Sequence, residues 1–138
     1  MTDAAGVPIG LAVGGANVND FKLLRETLES IPVERPQPTA DAPQGACLDK
    51  GYDYDEVREL LVEFAYTAHI HSRGEEAKQI KRSARFKARR WVVERTHSWM
   101  NRFRGVLVRW CKKPENYLAM LQFTLAVITL RCANVLSG

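Results

Sequence analysis

The sequence predicts an α/β fold that carries a long basic helix and closes on an apolar one. Three features carry that expectation. Short apolar runs at residues 46–48 and 66–71 flank a helical pattern. Trp, Val and Phe recur at helical spacing among arginines over residues 85–110. Residues 117–136 are almost continuously apolar. With 138 residues, 46% of them hydrophobic, the chain has the size of one domain, residues 1–138, and enough apolar surface to bury a core, which argues against disorder.

Taken in order, residues 7–13 (VPIGLAV) form an apolar run between a turn-like Asp3-Ala4-Ala5-Gly6 and Gly14-Gly15. They read as the second arm of a hairpin whose first arm would precede residue 3. Asp20 is placed to cap a helix reaching about Ile31, with Phe21, Leu24, Leu28 and Ile31 on its buried side. Four of the six prolines then fall in residues 32–45, an extended surface loop rather than a domain boundary. Ala46, Cys47 and Leu48 make a very short strand ending at Asp49. Asp53 and Glu56 have capping-box spacing for a helix to about Phe64. The next strand, residues 66–71, should pair in parallel with the first through a right-handed crossover. His69 and His71 share one face of that strand, where a core or hydrogen-bonding role outweighs metal binding. Residues 75–89 read as an exposed loop or helical turn, Lys112-Lys113-Pro114 breaks the basic helix, and the closing apolar helix follows.

Charge is distributed unevenly. Residues 1–72 carry 5 basic and 12 acidic side chains, whereas residues 73–113 carry 14 basic and 3 acidic. A basic helical segment over residues 73–113, interleaved with aromatic and aliphatic residues, suggests a folded cationic face, whose commonest partner is nucleic acid. Cys47, Cys111 and Cys132 are odd in number and lack ligand spacing, which fits a reducing cytoplasm better than a disulfide frame or a zinc knuckle. No signal peptide is expected. Gln122, Thr124, Thr129, Arg131 and Asn134 interrupt the final apolar run, so a buried or partner-packed helix is expected there and no membrane partner.

On a helical wheel Val92, Val93, Trp99, Met100 and Phe103 fall on one side of the basic helix, and Arg90, Glu94, Ser98 and Asn101 on the other. Glu94 among Arg90, Arg95, Arg102 and Arg104 suits either a solvated ion-pair network or a metal ligand held where an anionic backbone is drawn in. A second acid, Asp49, stands at a strand's C-terminal end, where open α/β sheets place their chemistry. Two-metal phosphodiester chemistry needs carboxylates of this kind converging from separate elements.

Leu48-Asp49-Lys50-Gly51-Tyr52-Asp53, followed by Arg90-Trp91-Val92-Val93-Glu94-Arg95 and Trp99-Met100-Asn101-Arg102-Phe103-Arg104, resembles the C-terminal part of the DDE transposases of bacterial insertion sequences. The resemblance implies an incomplete RNase H-like α/β domain. It further implies that Asp49 is the second catalytic aspartate, Glu94 the catalytic glutamate, and Arg90 a helper at the phosphate. Mg²⁺ or Mn²⁺ would be held by Asp49, Glu94 and a further aspartate. DNA, meaning element ends and target, would meet Lys81, Arg82, Arg90, Arg95, Arg102 and Arg104. Where relatives often carry Lys seven residues after the glutamate, this chain has Asn101. The family's first aspartate lies on a strand upstream of the expected hairpin, so the upstream transposase segment and a homo-oligomer are the expected partners, with no cleavage by the isolated chain. A second class of function, a non-catalytic basic protein that binds nucleic acid or a transposase, shares the basic helix but has no need of Asp49.

Overall fold

The structure is a computed structural model and describes residues 1–70 and 90–134, without the side chains of Arg90 and Trp91. The expectations for His71, for residues 75–89 and for Lys81 and Arg82 lie outside the described residues. The chain packs as two compact units, Gly14–Arg89 and Met1–Val13 with Arg90–Gly138.

In the Gly14–Arg89 unit a 3-10 turn, Asp20–Leu23, leads into α1, Leu24–Glu29. Asp20 does not cap this helix. Leu23 precedes α1 without a side-chain cap bond; Asn19 holds the cap position of the 3-10 turn, also without one, and Asp20 is that turn's first residue, where its charge favours the dipole. The proline-rich stretch lies inside the unit and is tied down by Arg35, which donates to Gln44 Oε1 (2.8 Å) and to the Phe64 carbonyl (2.7 Å) and stacks its guanidinium 4.1 Å from the Tyr66 ring.

Strand β1, Gly45–Leu48, pairs in parallel with β2, Thr67–Ile70, in the register Gly45 to Thr67 through Leu48 to Ile70. Helix α2, Asp55–Glu63, joins them. Because side chains alternate along a strand, Ala46, Leu48, Ala68 and Ile70 face the helices, while Gly45, Cys47, Thr67 and His69 face outward and are exposed. Leu24, Leu28, Ala46, Val57, Leu61 and Tyr66 form the buried core, with Phe21 and Ile31 packed against it. The expected capping box does not form. Tyr54 is the residue before α2 and caps with no side-chain bond, while Asp53 accepts from Arg58 Nη2 at 2.6 Å. A carboxylate one residue too early for the cap position finds a guanidinium instead.

In the other unit the expected strand over residues 7–13 is reduced to one antiparallel bridge, Thr2 to Pro8. Residues 1 and 2 supply the first arm after all: the Ile9 N–H donates to the Met1 carbonyl at 3.0 Å. Proline at position 8 has no N–H to extend the ladder. Asp3 Oδ1 closes the turn by accepting from the N–H groups of Ala5 (2.9 Å) and Val7 (2.8 Å).

The basic helix is shorter than its pattern suggests. Helix α3 is Arg90–Met100, a turn follows at residues 101–103, and a single helical turn, α4, occupies Arg104–Leu107. Residues 108–113 are not helical, so Trp110 lies outside the helix. The break lets the chain fold back, so that α4 packs on α5, Pro114–Cys132. Gly105 lies at this contact, where a Cβ would meet Met120 Cε at 3.4 Å, an ordinary van der Waals distance. Helix α5 starts with proline in its first turn and buries one stripe, Leu121, Thr124 and Ile128, while Met120, Phe123 and Leu130 stay exposed. Among the described residues no helix is long and apolar enough to cross a membrane.

Candidate functional site

Glu94 is held by the way α3 is anchored. Val92 and Thr96, four residues apart, form the buried stripe, and Thr96, only 4% exposed, donates its hydroxyl to the Gly6 carbonyl at 2.5 Å. Gly6 has φ +83°, and a Cβ there would meet the Val92 carbonyl oxygen at 3.1 Å, so only glycine fits this close approach comfortably. Arg95 donates to the Ala5 carbonyl at 3.3 Å and lies 4.7 Å over the Trp99 ring. These contacts fix the rotation of α3 and leave Glu94 on its exposed face.

That rotation corrects the expected helix faces. Val93, assigned to the apolar side, is 51% exposed, and Thr96, which the pattern did not single out, is buried. A threonine reads as polar and therefore outward, but within a helix its hydroxyl can be satisfied by a backbone carbonyl and its methyl can pack. Val93, Glu94, His97, Ser98 and Asn101 line a shallow open depression. Among the described residues the Glu94 carboxylate accepts no hydrogen bond and pairs with no cation, which leaves its lone pairs available.

Asp49 follows the end of β1 and is exposed. Its Oδ1 accepts from the Gly51 N–H at 2.8 Å and so caps the 3-10 turn Lys50–Tyr52, which orients the carboxylate and leaves Oδ2 without a protein partner among the described residues. Burial raises the Tyr52 phenol above its usual pKa, and the nearby carboxylates of Asp20 and Asp49 raise it further. Asp20 and Asp49 thus flank the same half-buried ring.

Asp49 and Glu94 belong to different units, and each is placed only within its own. Of the other expected site residues, Arg90 opens α3, Arg102 is exposed in the turn after it, and Arg104 is exposed at the start of α4. His69 is exposed, with its ring against Gly45. Among the described residues no group of three or more His, Cys, Asp or Glu side chains is gathered as a metal shell. The donors that are available, two accessible carboxylates, are hard oxygen ligands of the kind that Mg²⁺ and Mn²⁺ take.

Residues 46–131 match the family model described as a transposase DDE domain, a span that contains both Asp49 and Glu94. The chain is 31% identical over 139 residues to a protein from Burkholderia cepacia described as a candidate transposase for insertion sequence element IS402, an alignment covering 97% of this chain and 64% of that protein. The chain therefore spans less than two thirds of the length of that relative. No solved structure matches. With the family model extending over most of the chain and over both carboxylates, this chain belongs to the DDE transposases of insertion sequences.

Proposed function

We propose that this chain supplies two of the three metal-holding carboxylates, Asp49 and Glu94, of a DNA transposase with an RNase H-like fold. What supports the reading is that the family match encloses two acids which are both exposed and both without a cationic partner among the described residues. An acid directly after a strand that pairs in parallel across a helix is also the arrangement an RNase H-like domain would need. A further aspartate from the upstream transposase segment would complete the set.

Divalent ions, Mg²⁺ or Mn²⁺, would supply an activated attacking oxygen and compensation of charge at the leaving oxygen. Asp49 contributes a carboxylate preset by the Gly51 N–H, and Glu94 one preset by the anchoring of α3. Lys81, Arg82, Arg90, Arg95, Arg102 and Arg104 would draw in and position the phosphates of element ends and target. The reaction is hydrolysis of a phosphodiester at the element's end, with water as nucleophile, followed by attack of the freed 3′-hydroxyl on target DNA.

The test combines binding and activity. Mn²⁺ binding, read by electron paramagnetic resonance, should be weak for the parent chain and weaker still for Asp49→Asn and Glu94→Gln. Nicking of element-end DNA in Mg²⁺ should require a second polypeptide carrying the upstream strands and should vanish with Glu94→Gln. Unchanged Mn²⁺ binding in both variants would remove the metal role and leave a non-catalytic DNA-binding protein.

A further inference from the structure

Trp110 is 79% exposed, the most solvent-accessible of the large apolar side chains among the described residues. The non-helical chain of residues 108–113 explains why. Val108 and Lys113 have extended backbones, with φ, ψ of −122°, 112° and −84°, 129°. Arg109 folds back, its guanidinium 5.3 Å from the Tyr117 ring on α5 and its Nε donating to the Cys111 carbonyl at 3.3 Å. With the Arg109 guanidinium held against the Tyr117 ring and the Cys111 carbonyl, the segment that carries the exposed Trp110 indole is tethered to α5.

The sequence on both sides of this ring is cationic. Arg102, Arg104, Arg109, Lys112 and Lys113 lie within eight positions of it in sequence, and no acidic residue occurs from residue 95 to residue 114. Exposed Leu107 and Val108 beside it would also suit a protein partner. The centres of protein interfaces, however, are depleted of charge, whereas an aromatic face set among Arg and Lys is the usual platform for unstacked bases. An indole face has nothing to offer a phosphate and cannot reach a base face inside an intact duplex. Base faces open only at strand ends, in single-stranded tails or at flipped nucleotides.

We infer that Trp110 is a stacking platform for an unpaired base of DNA, with Arg102, Arg104, Lys112 and Lys113 holding the adjoining phosphates. The inference rests on the proposed DNA-binding function and refines it: the preferred ligand has at least one nucleotide outside the duplex. The full chain and its Trp110→Ala and Trp110→Phe variants are titrated with a single strand, a duplex bearing a single-stranded tail and a blunt duplex, at one fixed salt concentration. Trp110→Ala should weaken binding to the single strand and to the tailed duplex by about ten-fold, and to the blunt duplex by less than about two-fold, while Trp110→Phe keeps most of the affinity. Because the ring is exposed, both variants should keep the parent's thermal unfolding midpoint.

Equal losses on all three DNAs, or no loss on any, overturn the stacking site and leave the DNA-binding function intact. Unchanged DNA affinity with loss of self-association in sedimentation velocity makes the patch a protein contact and overturns the inference. Failure of the parent chain to bind any of the three DNAs overturns both.

Discussion

Replacing Thr96 by valine tests how α3, and with it Glu94, is anchored. Valine keeps the shape of threonine but removes the hydroxyl that donates to the Gly6 carbonyl. Gly6 and Thr96 are both buried, so the carbonyl loses its partner where water does not easily replace it, at a cost of about 1–3 kcal/mol. Serine at the same position keeps the hydroxyl and loses one methyl, about 0.8 kcal/mol of burial. Gly6→Ala strikes the same contact from the other side. The αL backbone costs a non-glycine residue about 1–2 kcal/mol, and the new Cβ at 3.1 Å from the Val92 oxygen adds to that. Because both changes break one contact, the double variant should lose less than the two single losses combined. All three tryptophans, at 91, 99 and 110, lie in the same unit as Gly6 and Thr96, so urea unfolding followed by Trp fluorescence reports on that unit. A Thr96→Val chain that unfolds at no lower urea concentration than Thr96→Ser would refute the anchoring role, and additive losses in the double variant would place the effects of Gly6 and Thr96 at separate sites.

Other outcomes follow from particular contacts. Thr124 is 0% exposed and its Oγ1 has no hydrogen-bond partner among the described residues, so Thr124→Val should stabilise the chain by about 1 kcal/mol in the same urea assay. Leu61→Ala, at a fully buried core position, should cost about 2–5 kcal/mol, read by the loss of far-ultraviolet circular dichroism in urea. The raised pKa of Tyr52 means that above about pH 10 the unfolded chain releases the phenolic proton before the folded chain does. Its contribution is fully present below the unfolded pKa and is lost as pH rises through the folded one, so stability should fall with pH there. Tyr52→Phe should flatten that fall, and Asp49→Asn should move the Tyr52 titration, followed by ultraviolet absorbance, toward its ordinary value. Replacing Arg102 and Arg104 together by Ala should weaken DNA binding and reduce the slope of log affinity against log salt by about 2, as two phosphate contacts are lost. An unchanged slope would show that neither arginine contacts phosphate.

Much of this protein was legible in its residues because it depends on local, periodic signals. The apolar spacing of Phe21, Leu24, Leu28 and Ile31 marks the buried side of α1, and the short runs around Cys47 and Ala68 mark the parallel strand pair, since burial enforces periods of 3.6 and 2. The family was equally legible, because Asp49 with Gly51-Tyr52 and Glu94 four residues after Arg90 are local spacings. What periodicity did not reveal depends on contacts between distant residues. The rotation of α3 is decided by Thr96 reaching a carbonyl 90 residues away, which turns Val93 outward against its hydrophobicity. The end of that helix at Met100 accompanies the packing of α4 on α5, although the arginine-rich pattern continues to Trp110. Asp53 does not cap α2 because the helix begins one residue later than its capping-box spacing implies, and its carboxylate pairs with Arg58 instead. Local sequence sets which side chains can be buried, whereas the partner that satisfies each polar group once buried is chosen only when the chain closes on itself.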